Sequence, residues 1–109
     1  MDAREVHEVL RNTRRRRVIE QLSGRLEPVS LRELAEQIAA IETGESPPPR
    51  NARDSVYNSL HQTHLPKLDE MDIVEYDKNR KIIRLRRRAK QVNRYMRVVT
   101  DYGFSWAQL

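Results

Sequence analysis

Residues 50–64 combine an apolar stripe with long polar side chains. Val56, Leu60 and His64 recur at helical spacing, which predicts a helix with these three residues facing inward. The other face carries guanidinium, amide and imidazole groups, on Arg50, Arg53, Asn58, His61 and Gln62. Arginine can make two hydrogen bonds to guanine, and Asn or Gln can make two to adenine. These types on one exposed helix face predict contacts with base edges in the major groove of a duplex.

Basic residues are segregated along the chain. Residues 1–17 hold six basic and three acidic residues, and residues 18–77 hold five basic and twelve acidic ones. Residues 78–109 hold ten basic residues and one acidic residue, and the formal net charge of the chain is +5. Charge separated in this way creates a strong local field, whose usual partner is a polyanion. A basic surface that meets only solvent is the alternative.

Two basic groups are candidates for phosphate contact. The first lies on a predicted hairpin and its flank, at Lys78, Arg80, Lys81, Arg84 and Arg86. These residues could grip phosphates or enter the minor groove, or they could protect an edge strand from aggregation. The second group is in the first turn of a predicted helix, at Arg14, Arg15, Arg16 and Arg17. Cations in the first turn are unfavourable because they oppose the helix dipole, so these four need another reason to be there. Phosphate contact is one such reason, and pairing with acids such as Glu20 is the alternative.

Few residues are suited to catalysis or to holding a cofactor. The chain has no cysteine, which excludes disulfides, thiolate zinc sites and cysteine nucleophiles. His61 and His64 have a spacing that can hold a metal, but no third ligand is near them in sequence. The sequence contains no glycine-rich phosphate loop. We therefore expect no enzyme activity, no cofactor and no metal.

Apolar spacing and capping residues predict the elements that precede residue 50. Two short helices come first, separated by a cap at Asn12 or Thr13. Residues 27–29 are extended because residues before proline avoid helical geometry. Ser30 and Glu33 then form a capping box. The helix behind it has a predicted core face of Leu31, Leu34, Ala35, Ile38 and Ile41.

The helix over residues 50–64, with Asn51 as a possible cap, is followed by a change in apolar period from 3.6 to 2. Val74 and Tyr76 share one face, as do Ile83 and Leu85, which predicts a hairpin over about residues 73–86. Its turn is polar, and Asn79 within it tolerates a positive φ, which favours a tight hairpin.

A final helix is predicted from about Arg87 to Tyr102. Its apolar stripe has heptad-like spacing, at Ala89, Val92, Met96 and Val99. We expect this stripe to pair with its copy in a homodimer; packing onto the helices of residues 3–22 is the alternative. The apolar tail at Phe104–Trp106 would then dock on the partner subunit.

This order of elements predicts a mainly α fold with a small β-hairpin, arranged as a winged helix-turn-helix. The winged domain covers residues 1–86, with its wing at about 73–86, and residues 87–109 form the C-terminal helix and tail. The stretch from Val56 to Leu68, with its His64-Leu65-Pro66-Lys67-Leu68 motif, resembles an archaeal, haloarchaeal-type winged-helix family. The resemblance covers about residues 8–86. Relatives commonly have proline where Thr13 stands and glycine where Asp72 stands.

The resemblance implies a small transcriptional regulator, and the residues favour the same function. We expect sequence-specific binding of double-stranded DNA, with helix 50–64 in the major groove and the basic wing on the backbone. A winged-helix module that binds other proteins is the alternative. RNA binding is less favoured because aromatic residues, at 6%, supply few stacking platforms. The sequence has no apolar run of about 18 residues and no secretory signal pattern, so we expect a cytoplasmic protein without a membrane partner.

Overall fold

The computed structural model describes the backbone of residues 2–101 and the side chains of residues 2–96. The described chain is mainly helical, with a small three-stranded antiparallel sheet. Its elements are, in order, α1 (Ala3–Leu10), α2 (Thr13–Leu22), β1 (Val29–Ser30), α3 (Leu31–Thr43), α4 (Arg50–Ser59), a π-helical turn (Leu60–His64), α5 (Leu65–Glu70), β2 (Val74–Asp77), β3 (Ile82–Leu85) and α6 (Ala89–Asp101).

Two predicted helix caps are present. Asn12 Oδ1 accepts a hydrogen bond from the backbone N–H of Arg15 at 3.2 Å, which confirms the division of the first helical region into α1 and α2. Ser30 Oγ accepts from the N–H of Glu33 at 3.0 Å and begins α3. These caps satisfy backbone donors that have no partner within the helix.

The beginning of α4 differs from the prediction. Pro49, not Asn51, is the N-cap, since Pro49 already has an extended ψ of 146° and α4 starts at Arg50. The helix then continues past His64 to Glu70 through the π-helical turn, in which the N–H of Leu65 donates to the carbonyl of Leu60. Pro66 has no N–H and would crowd the preceding helical turn. The wider π-helical geometry just before Pro66 accommodates the proline ring.

The sheet has the strand order β1-β3-β2. Ile83 on β3 is paired with Val29 on one side and Tyr76 on the other. The predicted inward faces are confirmed, since Val74 and Ile83 are fully buried and Tyr76 is 6% exposed. The extended segment before α3 therefore serves as the third strand of the sheet.

The hairpin turn is shaped by the side chain of Asp77. Asp77 Oδ1 accepts from the N–H groups of Asn79 and Arg80, both at 3.0 Å, and holds the first half of the turn in right-handed geometry. The chain must then reverse at the end of the turn, so Lys81 takes the positive φ of 58°. Asn79, which tolerates a positive φ, does not adopt one, because the Asp77 side chain already determines the conformation there.

One hydrophobic core joins elements from α1 to α6. The predicted α3 face is buried except for Ile41, which is 40% exposed. The buried face of α3 is centred between Leu31 and Ile38 and extends to Ala39. Ile41 lies at the margin of this face, so its predicted burial was wrong.

Helix α6 packs onto the chain's own N-terminal helices. Ala89 and Val92 are 1% and 0% exposed, and Met96 is 9% exposed. His7 Nε2 lies 2.5 Å from Tyr95 Oη, and this hydrogen bond joins α1 to α6. The apolar stripe predicted to form a homodimer therefore has an intramolecular partner, which is the alternative that the sequence left open. The side chain of Val99, residue Tyr102 and the tail at Phe104–Trp106 lie outside the described residues.

Candidate functional site

The outer face of α4 carries a row of uncharged polar side chains, which we call the amide stripe: Asn51, Ser55, Asn58 and Gln62. All four are exposed. The first three are spaced four and three residues apart, which places them on one helix face. Among the described residues, the side chains of Ser55, Asn58 and Gln62 form no hydrogen bond. Asn51 Oδ1 accepts from the adjacent N–H of Ala52, at 3.0 Å.

The arginines of α4 lie on a different side of the helix. A second surface, which we call the arginine groove, is formed between α3 and α4 by Arg32, Arg50, Arg53, Asp54 and Tyr57. Arg50 is highly exposed and has its Nε 3.9 Å from Asp54 Oδ2, a distance typical of a weak surface ion pair. Within the described residues, Arg32 and Arg53 have no carboxylate oxygen within 4.0 Å. The structure thus separates Arg50 and Arg53 from Asn58 and Gln62, which the sequence grouped together.

Arg32 is a candidate that the sequence did not indicate. It is exposed in the first turn of α3, and its place in the arginine groove follows from the packing of α3 against α4. A single arginine at a helix start has no local pattern that predicts such a contact. Asn51 and Ser55 were also missed, although their spacing from Asn58 was a visible signal.

His61 is engaged by the hairpin. Its Nδ1 lies 2.6 Å from the hydroxyl oxygen of Tyr76 on β2, and the two rings meet edge to face. Burial raises the pKa of the Tyr76 phenol, so this hydroxyl keeps its proton at neutral pH. The contact joins the hairpin to the π-helical turn and engages one ring nitrogen of a residue that the sequence assigned to base contact.

The basic residues of the hairpin fall into two parts. At the tip, Lys78 and Arg80 are exposed, and Arg80 Nε lies 4.0 Å from Asp77 Oδ2. Lys81, also at the tip, donates from Nζ to the carbonyl of Lys78 at 3.2 Å. Such exposed contacts contribute little to stability, so these cations remain accessible to a ligand.

Nearer the base of the hairpin, Arg84 is exposed and lies directly across from Glu75 in the strand register. Arg86 Nε donates to the carbonyl of Val74 at 3.2 Å, and its Nη1 lies 3.7 Å from Asp72 Oδ1. Arg86 therefore has a structural role at the end of the sheet, whereas Arg84 has a neighbouring acid but no ion pair within 4.0 Å among the described residues.

The four consecutive arginines of α2 have internal partners. Arg14 makes two hydrogen bonds to Glu42 on α3, at 2.7 and 2.9 Å. Arg17 contacts Glu20 at 3.2 Å, as the alternative interpretation of this run predicted. Side-chain cations that reach helix carbonyls complete the hydrogen bonding of a helix end. The remaining two act in this way on the last turn of α1: Arg15 donates to the carbonyls of Val9 and Glu8, and Arg16 to that of Leu10.

His64 is buried beneath this arrangement. It is 8% exposed, and its Nδ1 has no hydrogen-bond partner within the part of the chain that the structure describes. Burial lowers its pKa, and the cationic Arg15 and Arg14 lower it further, while Glu42 has the opposite effect. We therefore expect a neutral imidazole at pH 7. In the described part of the chain, no three His, Asp or Glu side chains form a group that could hold a metal ion.

Comparison with known families identifies the chain. A family model described as a domain of unknown function, DUF7344, matches residues 7–84. The match spans more than half of the chain, from the second half of α1 to most of β3, so the chain belongs to this family. No curated protein and no solved structure matches it. None of the helices within residues 2–101 is long and apolar enough to cross a membrane.

Proposed function

We propose that this chain is a winged helix-turn-helix protein that binds double-stranded DNA and regulates transcription. In this proposal α3 and α4 form the helix-turn-helix pair, α4 enters the major groove, and the hairpin is the wing. The strand order β1-β3-β2 and the resemblance of Val56–Leu68 to archaeal winged-helix regulators support the assignment.

The observation that carries the proposal is the contact between His61 and Tyr76 at 2.6 Å. It joins the helix that bears the amide stripe to the hairpin that bears Lys78 and Arg80. Uncharged polar groups suited to base edges and exposed cations suited to phosphates are therefore held on adjacent elements. A surface that only keeps the protein soluble does not require the hairpin to be held against the helix in this way.

Phosphate contact is assigned to the arginine groove and the hairpin. Arg32, Arg50 and Arg53 lie where α3 and α4 would approach the backbone, and Lys78, Arg80 and Arg84 extend the basic surface along the wing. Arg14–Arg17 are left out because each already has an internal contact.

One chain is a complete binding unit in this proposal. The buried positions of Ala89, Val92 and Met96 in its own core favour this choice. A homodimer on a palindromic site is the other possibility, and it would need a surface beyond this stripe. Sedimentation of the free chain and of its duplex complex distinguishes one bound chain from two.

The test is the affinity of the purified chain for a duplex pool, measured as a function of salt. For about six phosphate contacts, log K should fall with log salt at a slope of about −5. Arg80→Ala should make the slope less negative by about one. A chain that binds no duplex in a salt-sensitive manner would instead be a protein-interaction module. A preference for single strands would indicate RNA binding.

A further inference from the structure

The separation between the amide stripe and the arginine groove affects which DNA sequence α4 would prefer. We infer that α4 reads adenines through Asn58 and Gln62, while its arginines hold backbone phosphates, so that the preferred duplex is rich in A·T pairs where it faces α4. This inference rests on the proposed function and adds the class of duplex that the same site prefers.

The first support is the hydrogen-bonding state of the amides. Asn58 and Gln62 are exposed, and their side chains form no hydrogen bond with any described residue. An amide meets adenine with two hydrogen bonds, in which the side-chain N–H donates to N7 and the side-chain oxygen accepts from the N6 amino group. Both groups of each amide are available for this geometry without breaking an existing contact.

The second support is the position of the arginines. Guanine is read most often by an arginine that donates to O6 and N7. On α4, however, Arg53 is half-buried in the arginine groove, and Arg50 lies beside Asp54 in the same groove. Neither belongs to the amide stripe. A helix that presents this stripe to base edges therefore presents amides and a hydroxyl, and directs its guanidinium groups toward α3.

The third support is that the imidazole beside Gln62 has one of its two ring nitrogens held by the hairpin. His61, next to Gln62, has its Nδ1 occupied by Tyr76 at 2.6 Å. Asn51 is only partly available because its Oδ1 accepts from Ala52. Asn58 is thus the central free amide of the stripe, and we assign it the largest share of adenine recognition.

The experiment begins with selection of bound duplexes from a randomised pool by the intact chain at fixed salt. We expect the selected sites to share at least one adenine whose replacement by 7-deazaadenine, which lacks the N7 acceptor, weakens binding about tenfold. Asn58→Ala should remove the discrimination at one such position and make the chain insensitive to 7-deazaadenine there. The matched control is Gln91→Ala, which removes an exposed amide from α6 and should leave the preference unchanged.

The possible results separate the two proposals. Sites centred on guanine, with a preference that changes in Arg53→Ala rather than in Asn58→Ala, would overturn the inference and leave duplex binding intact. Equal affinity for all duplexes would also overturn it. Failure to bind any duplex in a salt-sensitive manner would overturn both the inference and the proposed function.

Discussion

Tyr76 on β2 and His61 on the π-helical turn share a hydrogen bond of 2.6 Å, although 15 residues separate them in sequence. Tyr76 is 6% exposed, and its hydroxyl has the His61 ring as its hydrogen-bond partner. The bond determines how the hairpin is held beside the helix proposed to read DNA.

Tyr76→Phe should lower the free energy of unfolding by about 1 kcal/mol, because a single hydrogen bond contributes roughly that amount. We also expect weaker duplex binding, since the hairpin loses one of its attachments. Urea unfolding and duplex titration measure the two effects. Tyr57→Phe is the control: among the described residues, the hydroxyl of Tyr57 forms no hydrogen bond, and its removal should change stability by less than about 0.5 kcal/mol. Equal losses of stability in the two variants would contradict this account.

The buried His64 should make the protein less stable in mild acid. Its pKa is lowered in the folded state, mainly by burial, while in the unfolded chain it stays near the ordinary value of about 6.5. The unfolded state therefore binds the proton more readily, so the contribution to stability is complete above about pH 6.5 and falls as the pH drops toward the folded-state pKa. Unfolding free energies measured between pH 8 and 5 should show this decline.

His64→Leu removes the titrating group and should flatten the pH dependence in that interval. The variant also removes the unpartnered Nδ1, so its stability at pH 7 should not fall sharply. A pH profile identical to that of the unsubstituted chain would assign the decline to other groups.

Asp72 has a backbone φ of 66°, which is unfavourable for a residue with a Cβ. It ends α5 in the geometry of a Schellman motif: its N–H donates to the carbonyl of Asp69 and that of Ile73 to Leu68, both at 3.0 Å. Asp72→Gly should raise the free energy of unfolding by about 0.5–1 kcal/mol because glycine adopts this conformation freely. Thermal and urea unfolding measure the gain.

The control for Asp72 uses Gly44, which ends α3 at φ 73° and has no neighbouring atom within 4 Å of the position that a Cβ would occupy. Gly44→Ala should be destabilising by about 1 kcal/mol, the opposite sign, because only backbone strain changes there. Asp72→Asn separates strain from charge, since asparagine tolerates the same φ but loses the ion pair with Arg86. A stability loss in Asp72→Gly as large as in Asp72→Asn would show that the ion pair outweighs the strain.

Arg15 should behave as a structural residue rather than a phosphate contact. Its guanidinium donates to the carbonyls of Val9 and Glu8, at 3.2 and 2.9 Å, at the end of α1. Arg15→Ala should lower the free energy of unfolding by about 1–3 kcal/mol, as expected for hydrogen bonds from a charged group, and leave the salt slope of duplex binding unchanged. Arg80→Ala should instead change the salt slope and leave the free energy of unfolding nearly unchanged. A less negative salt slope in Arg15→Ala would indicate that the α2 arginines contact phosphate.

Val92 should stabilise the single chain. It is fully buried in the core, within the stripe that the sequence assigned to a homodimer. Val92→Ala should lower the free energy of unfolding by about 1–3 kcal/mol through lost burial and the cavity left behind. The loss should be the same at every protein concentration, because a folded monomer does not depend on association. A loss that grows on dilution would indicate that the stripe contributes to a dimer.

Local signals in the sequence predicted the helices, the hairpin and most of the core. Asn12 and Ser30 cap their helices through donors only three residues away, so the signal and its structural effect lie within one turn. The same is true of the alternation that places Val74 and Tyr76 on one face. Such signals were less informative where a second local group competed, as at Asn79, where the side chain of Asp77 decided the turn.

The sequence by itself determined where the polar and basic groups occur and which elements carry them. Only the tertiary structure decided which of those groups have partners and which share a surface: Arg14 is paired with Glu42 and His61 with Tyr76. Arg50 and Arg53 line one groove together with Arg32. The physical reason is that long polar side chains take whichever donors or acceptors the packed helices bring within about 3 Å. That proximity depends on how whole elements pack, and no local spacing in the chain encodes it.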